Sequence, residues 1–342
     1  MESKKNRLRN RLSFLGQIAL SVFIIVYICI APFSILPSLL YAQAEVNRAE
    51  SYEYQGILEL WHVETFEGGS QSRSGFLERE AINFEKMHKG TYIVIQTMSL
   101  EQFSLNITSG KNPNIISFGI GVGNNFVERL IDLDCENIRT DLCVGGRCNG
   151  KQKAIPYILG GYANISVGGG DVGVGLAGST NPLRALQKNK KQIASIYKDV
   201  EIDSYTAYDK FIKGSFKTLI GTQRDVYRCK SRMDKGLLSE VNFDYLGGYT
   251  DLVQYLSIFK SNAIEEKLCR QFVSHIISAD VQRKLKEYSL FSTLNNLKLY
   301  NDGIYNDFEN CLQNTLEVEN VFLDLQQINE QKIEAFSNVV KK

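Results

Sequence analysis

The feature that most constrains the fold of this chain is an early alternation of short apolar runs with amphipathic segments. Ile57-Leu58-Glu59-Leu60-Trp61-His62 reads as a strand. Residues 74–88 then place Phe76, Leu77, Ala81, Phe84 and Met87 on one face at helical spacing. Tyr92-Ile93-Val94-Ile95-Gln96 is β-branched and almost continuously apolar, as strands buried on both faces are. A short helix over residues 100–108 and a strand at Asn114-Ile115-Ile116-Ser117-Phe118 complete a β-α-β-α-β order. That order indicates a parallel sheet flanked by helices, and so an α/β class.

Ahead of this body the charge pattern changes abruptly. Lys4, Lys5, Arg7, Arg9 and Arg11 stand against Glu2 alone, and residues 12–44 carry no charge. A basic tip before a long apolar run marks a segment inserted with its N-terminus in the cytoplasm. Pro32 and Pro37 break it, and Ala42-Gln43-Ala44 has the small-x-small pattern of a cleavage site. Residues 1–44 are therefore expected to be a signal peptide cut near Ala44 or a retained membrane-anchor helix. Ile28 before Cys29 argues against lipidation there, since a small residue is expected at that place. The rest of the chain is placed outside the cell, at the extracellular face of the membrane.

Removing the five cations and one anion of the tip from totals of 39 and 38 leaves the exported body about three charges acidic. No basic excess remains to serve a nucleic acid. The body is long enough for two lobes. Six cysteines follow Ala44, and an even number in an exported protein permits disulfides. Spacing favours Cys143 with Cys148 across a Gly-Gly turn. A zinc site has no matching second pair of ligands, so neither metal nor cofactor is expected.

Residues 160–178 hold eight glycines, and Gly173–Gly178 even fits G-x-G-x-x-G. No helix opens directly on them, because Asn181 and Pro182 supply a separate helix start. The segment reads as turns and an edge strand rather than a dinucleotide site. No G-x-S-x-G, H-E-x-x-H or P-loop occurs, and the three histidines are scattered. The chain is not expected to be an enzyme, with an exported glycosidase using a carboxylate pair as one alternative.

The order of several motifs resembles the extracellular solute-binding proteins of ABC importers, in the carbohydrate-binding group related to maltose-binding protein. These motifs are the strand ending in Trp61 with a following helix that ends in Phe84-Glu85-Lys86, and Asn112-Pro113-Asn114-Ile115-Ile116-Ser117-Phe118, with Asn114 where the family has Asp. Next come Ile155-Pro156-Tyr157, the helix-to-strand stretch from Phe211 through Gly214 to Gly221, and Gln282 with the Ser289-Leu290-Phe291-Ser292 turn. The chain departs from the family in a short second lobe that lacks a "Pro-x-Thr-Trp-x-Glu" segment.

The resemblance implies a type II two-lobe periplasmic-binding-protein-like fold, with lobe one over residues 45–155 and 248–294 and a shortened lobe two over 156–247 and 295–342. Hinge crossings are expected near Ile155-Pro156, Leu246-Gly247 and Phe291–Thr293. It further implies a monomer that captures a small-molecule solute, a carbohydrate, and serves ABC permease subunits. A membrane-tethered sensor or adaptor with the same fold is the other alternative.

Open α/β sheets bind at the carboxyl ends of their strands. The expected contacts there are Trp61, Glu64 and Glu67, then Ser117 and Phe118, then Tyr157 and Tyr162, then Gln223, Arg224 and Asp225, and finally Tyr249. Trp61 would stack on a sugar face, the carboxylates would accept hydroxyl hydrogen bonds, and Arg224 would fork onto an acidic group. Thr222 with Asp225 also makes a helix capping box, which alone would account for that aspartate.

Overall fold

The structure is a computed structural model that describes residues 54–340 except 192, 194, 195 and 197–201, together with residues 16, 17, 20–22, 24 and 25. The expected cleavage site and Cys29 lie outside the described residues. Among the described residues, no helix is long and apolar enough to cross a membrane. Two compact units divide the chain, Met1–Gln55 with His88–Gly90 and Gly56–Met87 with Thr91–Lys342. The second unit carries every strand found among the described residues.

The chain enters on β1 (Gly56–Glu64), α1 (Arg73–Met87), β2 (Thr91–Ser99), α2 (Leu100–Thr108) and β3 (Ile115–Phe118). Helix α1 buries Phe76, Leu77, Glu80, Ala81 and Phe84, a stripe at helical spacing, while Met87, expected on that face, sits at the helix end and is exposed. Helix α2 starts at a reciprocal capping box between Ser99 and Gln102, which satisfies two otherwise unpaired amides. A short α3 (Thr140–Cys143) and the hairpin β4 (Arg147–Cys148) and β5 (Lys151–Gln152) lead into β6 (Ile155–Leu159). The second part runs β7 (Tyr162–Ser166), β8 (Val172–Val174), α4 (Pro182–Lys188), α5 (Ser204–Ile212), β9 (Thr218–Thr222), α6 (Gln223–Asp234) and β10 (Asn242–Leu246). The chain continues through β11 (Tyr249–Thr250), β12 (Val253–Ile258), α7 (Ala263–Ile276) and α8 (Ala279–Arg283). It closes with α9 (Gly303–Leu312), β13 (Glu317–Val318) and α10 (Leu325–Val339).

Two sheets organise these elements, one in the order β2-β1-β3-β12-β6 and one in the order β10-β7-β9-β8. In the first, β1 runs parallel to β2 and β3, as the sequence suggests. Strand β12 pairs antiparallel with both β3 and β6, so the sheet is mixed. Strand β2 lies at the edge, which leaves Tyr92 60% and Val94 43% exposed. An apolar run alone does not distinguish an edge strand from a central one. The glycine-rich stretch forms β7, a turn and the edge strand β8. Asn181 and Pro182 do start α4, but the Asn181 side chain makes no cap bond.

The first crossing lies at Gly160-Gly161, four residues beyond the expected Ile155-Pro156, because Ile155–Leu159 is still paired with β12. A Cβ on Gly161 would sit 2.8 Å from the Phe308 ring and 2.9 Å from a Leu312 methyl, so a larger residue there would push those side chains aside. Strand register then brings Tyr162 opposite both Thr222 and Leu246. The β7 start, the α6 cap and the end of β10 thus meet at one place.

The expected Cys143–Cys148 bridge is corrected by a disulfide between Cys135 and Cys143, whose Cα atoms are 6.4 Å apart. After Cys143 a 3-10 turn, Val144–Gly146, carries the chain into the β4–β5 hairpin, where Cys148 pairs with Lys151 instead. Cys148, Cys229, Cys269 and Cys311 are free.

Candidate functional site

The carboxyl end of β1 delivers Glu64 and a polar loop over residues 65–72, and the N-terminus of α6 delivers Arg224. Between them lies a cavity of about 520 Å³. From the first sheet's side it is lined by Glu64, Phe66, Glu67 and Arg73. From the second sheet's side it is lined by Thr180, Asp203, Thr222 and Arg224. Thr222 caps α6, with its side chain accepting from the Arg224 amide, and Arg224 is the second residue of the helix. The lining is rich in hydroxyls, carboxylates and guanidinium groups, which together donate and accept hydrogen bonds in many directions.

Of the residues expected at the site, Glu64, Glu67 and Arg224 line this cavity. Ser117 and Tyr157 lie fully buried beneath it. Ser117 Oγ bonds His62 Nδ1 at 2.9 Å and the Tyr157 hydroxyl at 2.8 Å, and accepts from Gln254 Nε2 at 3.0 Å. Gln254 Oε1 in turn accepts from Arg73 Nη1 at 2.7 Å. The chain of bonds therefore ends on a cavity-lining guanidinium. Arg73 also donates to the Phe66 carbonyl and lies 4.2 Å over the Phe66 ring. Burial pulls its pKa down to about 10, so it remains a cation at neutral pH. The same burial, with Arg73 nearby, pulls His62 down to about 3 and keeps that imidazole neutral.

Five expected contacts belong to the interior instead. Trp61 is 3% exposed and packs edge-to-face on Phe103, so its ring serves the core rather than a ligand. Phe118 joins a ring cluster with Phe126 and Phe322. Tyr249 is buried in the core of the second sheet beneath the Arg184 guanidinium. Tyr162 donates at 2.6 Å to Asp251, whose other oxygen accepts from the Asn181 amide. Asp225 completes the α6 capping box by accepting from the Thr222 amide, and burial pushes its carboxyl up to about 6.

Gln223 is also buried, and it pins the crossing. Its Oε1 accepts from the Gly161 amide at 2.9 Å, and its Nε2 donates to the Gly68 carbonyl at 3.5 Å. Arg73, Thr180 and Asp203 line the cavity without having been expected there, and Phe66 lies in the expected loop. Arg73 opens α1, one residue ahead of the helix expected from residue 74, where a cation in the first turn opposes the helix dipole. Among the described residues, no cluster of His, Cys, Asp and Glu is arranged to hold a metal ion.

No protein-family model matches the chain, and no curated protein sequence does. Solved structures do match. The GacH receptor of Streptomyces glaucescens, solved unliganded and with acarbose, superposes with a TM-score of 0.59 at 14% identity, over 84% of this chain and 95% of that one. The sugar-binding protein MalE of Xanthomonas citri gives 0.59 at 11% identity, over 83% and 92%. A chitin oligosaccharide binding protein gives 0.55 at 11% identity, over 83% and 96%. The chain therefore has the two-lobe fold of these sugar-binding proteins. These neighbours are binding proteins rather than enzymes.

Proposed function

We propose that this chain captures a carbohydrate outside the cell, in the cavity between its two sheets, and hands it to the permease subunits of an ABC importer. The observation that carries this reading is the position of a polar cavity between the sheets of a fold shared with sugar-binding proteins. Glu64 and Glu67 accept hydroxyl hydrogen bonds, Arg73 and Arg224 donate them, and Phe66 takes the apolar role first expected of Trp61. No covalent step is involved. Lobe one comprises β1 to β6 with β12, α7 and α8, and lobe two comprises β7 to β10 with α9 and α10. Closure turns on the crossings at Gly160-Gly161 and after Leu246. The uncharged N-terminal segment holds the protein, or its precursor, at the membrane, and the body acts as a monomer.

A thermal-shift panel of mono- and oligosaccharides on the full chain tests the proposal. A sugar at about a hundred times its Kd adds about 2.7 kcal/mol to the folded state, which raises the melting point by several degrees. A panel in which no sugar moves the melting point contradicts it.

A further inference from the structure

The cavity loop is carried by the first sheet, yet residues of the second sheet's elements hold it at three points. Ser179 Oγ donates to the Thr65 carbonyl at 2.7 Å, and Gln223 Nε2 reaches the Gly68 carbonyl. The third hold is ionic. Arg228 Nη1 donates to Glu67 Oε2 at 3.1 Å and Nη2 to Glu67 Oε1 at 3.4 Å, a forked pair.

Arg228 is fixed from within its own lobe before it meets Glu67. Its Nη1 also donates to Asp225 Oδ1 at 3.2 Å. Its guanidinium lies 5.3 Å from the Tyr205 ring centre and 5.0 Å from that of Tyr208, both on α5. Asp225 is in turn locked by the α6 cap. With the side chain already ordered, little further rotamer freedom is lost when Glu67 docks. The pair is shielded too: the Arg228 side chain is 17% exposed and that of Glu67 24%. Ionic screening therefore acts on it less than on a surface pair. Arg224, another cation near Glu67, lies 4.0 Å from it and lines the cavity.

We propose that Arg228 is a positioning residue: through Glu67 it fastens the cavity loop to the second lobe, and it does so whether or not a solute is bound. As a positioning role for the solute cavity it rests on the capture reading. The tie itself is a property of the chain that can be measured with no solute added. Cutting the tie removes the ionic hold and loosens residues 64–69, with the Ser179 and Gln223 bonds left as the remaining links to the second lobe.

The test is hydrogen exchange of residues 64–72 in the full chain, without sugar, for Arg228→Gln, Glu67→Gln, the double variant and Arg228→Lys. Either single substitution should speed exchange of that segment about tenfold, and the double should add little beyond either one. Arg228→Lys should restore part of the protection. Exchange in β12 should stay unchanged, which separates a released loop from general destabilisation. Exchange of residues 64–72 within twofold of wild type, or independent and additive effects of the two substitutions, would overturn the assignment. Because no sugar enters the measurement, that outcome leaves the capture reading standing, and a silent sugar panel leaves this one standing.

Discussion

Acidification from pH 6.5 towards pH 3 is expected to destabilise the wild-type chain much more steeply than a His62→Gln variant. His62 is fully buried on β1 within the first sheet, with its Nδ1 bonded to Ser117. Burial first, and the Arg73 charge second, pull its pKa to about 3, against 6.5 for a free histidine. The folded value lies below the unfolded one, so the unfolded chain takes up the proton first. Its contribution to stability is therefore complete above pH 6.5 and drains away as the pH falls towards 3. The gap corresponds to about 5 kcal/mol over that window. Glutamine is polar but does not titrate, so it removes this slope while the carboxylates that also titrate stay the same in both chains. Denaturant melts of the pair at half-unit pH steps check it. Parallel stability curves would show that the imidazole is not kept neutral by this site.

The second large effect concerns the anchor of the cavity loop. Gly69→Ala is expected to cost about 3 kcal/mol or more and to lower the melting point by several degrees. A Cβ at this position would fall 1.7 Å from the Tyr288 carbonyl oxygen and 2.9 Å from Leu290 Cγ. The carbonyl is main chain and accepts from the Ser70 amide at 2.7 Å, so it has no rotamer by which to withdraw. Relief requires the loop to lift off residues 287–288. That breaks the Ser70 bond and the Gln71 bond to the Glu287 carbonyl at 3.1 Å. The same displacement moves Glu64 and Glu67, so sugar binding should weaken along with stability. A melting point unchanged to within a degree would mean the loop is not seated as described.

The elements that were legible in the sequence are those whose pattern has one physical reading. Helix α1 announces itself by a single apolar stripe, and α6 by the Thr222 and Asp225 capping box, and both form as expected. The order of these elements pointed to an α/β class, and the two-lobe fold was implied by the resemblance of the motifs to solute-binding proteins. Features with two readings were less legible. An apolar ring suits a core as well as a sugar face, so Trp61, Phe118 and Tyr249 were assigned to the wrong surroundings. A short apolar run carries no direction, so nothing in Val253–Ile258 announced an antiparallel strand at the heart of the first sheet. The Cys135–Cys143 bridge depends on a chain path that sequence spacing does not encode. Among the charged residues expected at the site, Glu64, Glu67 and Arg224 line the cavity while Asp225 is taken up by the α6 cap, and Arg73 lines it without having been singled out.

The claim that the cavity is a sugar-capture site is tested most directly by titration calorimetry of the full chain with the saccharide that gives the largest thermal shift, compared with Glu64→Gln and Arg224→Ala. The account predicts one saturable site per chain in the wild type and an affinity at least about tenfold weaker in each variant, with melting points unchanged. No saturable heat from any saccharide, or equal affinity in all three proteins, would contradict it.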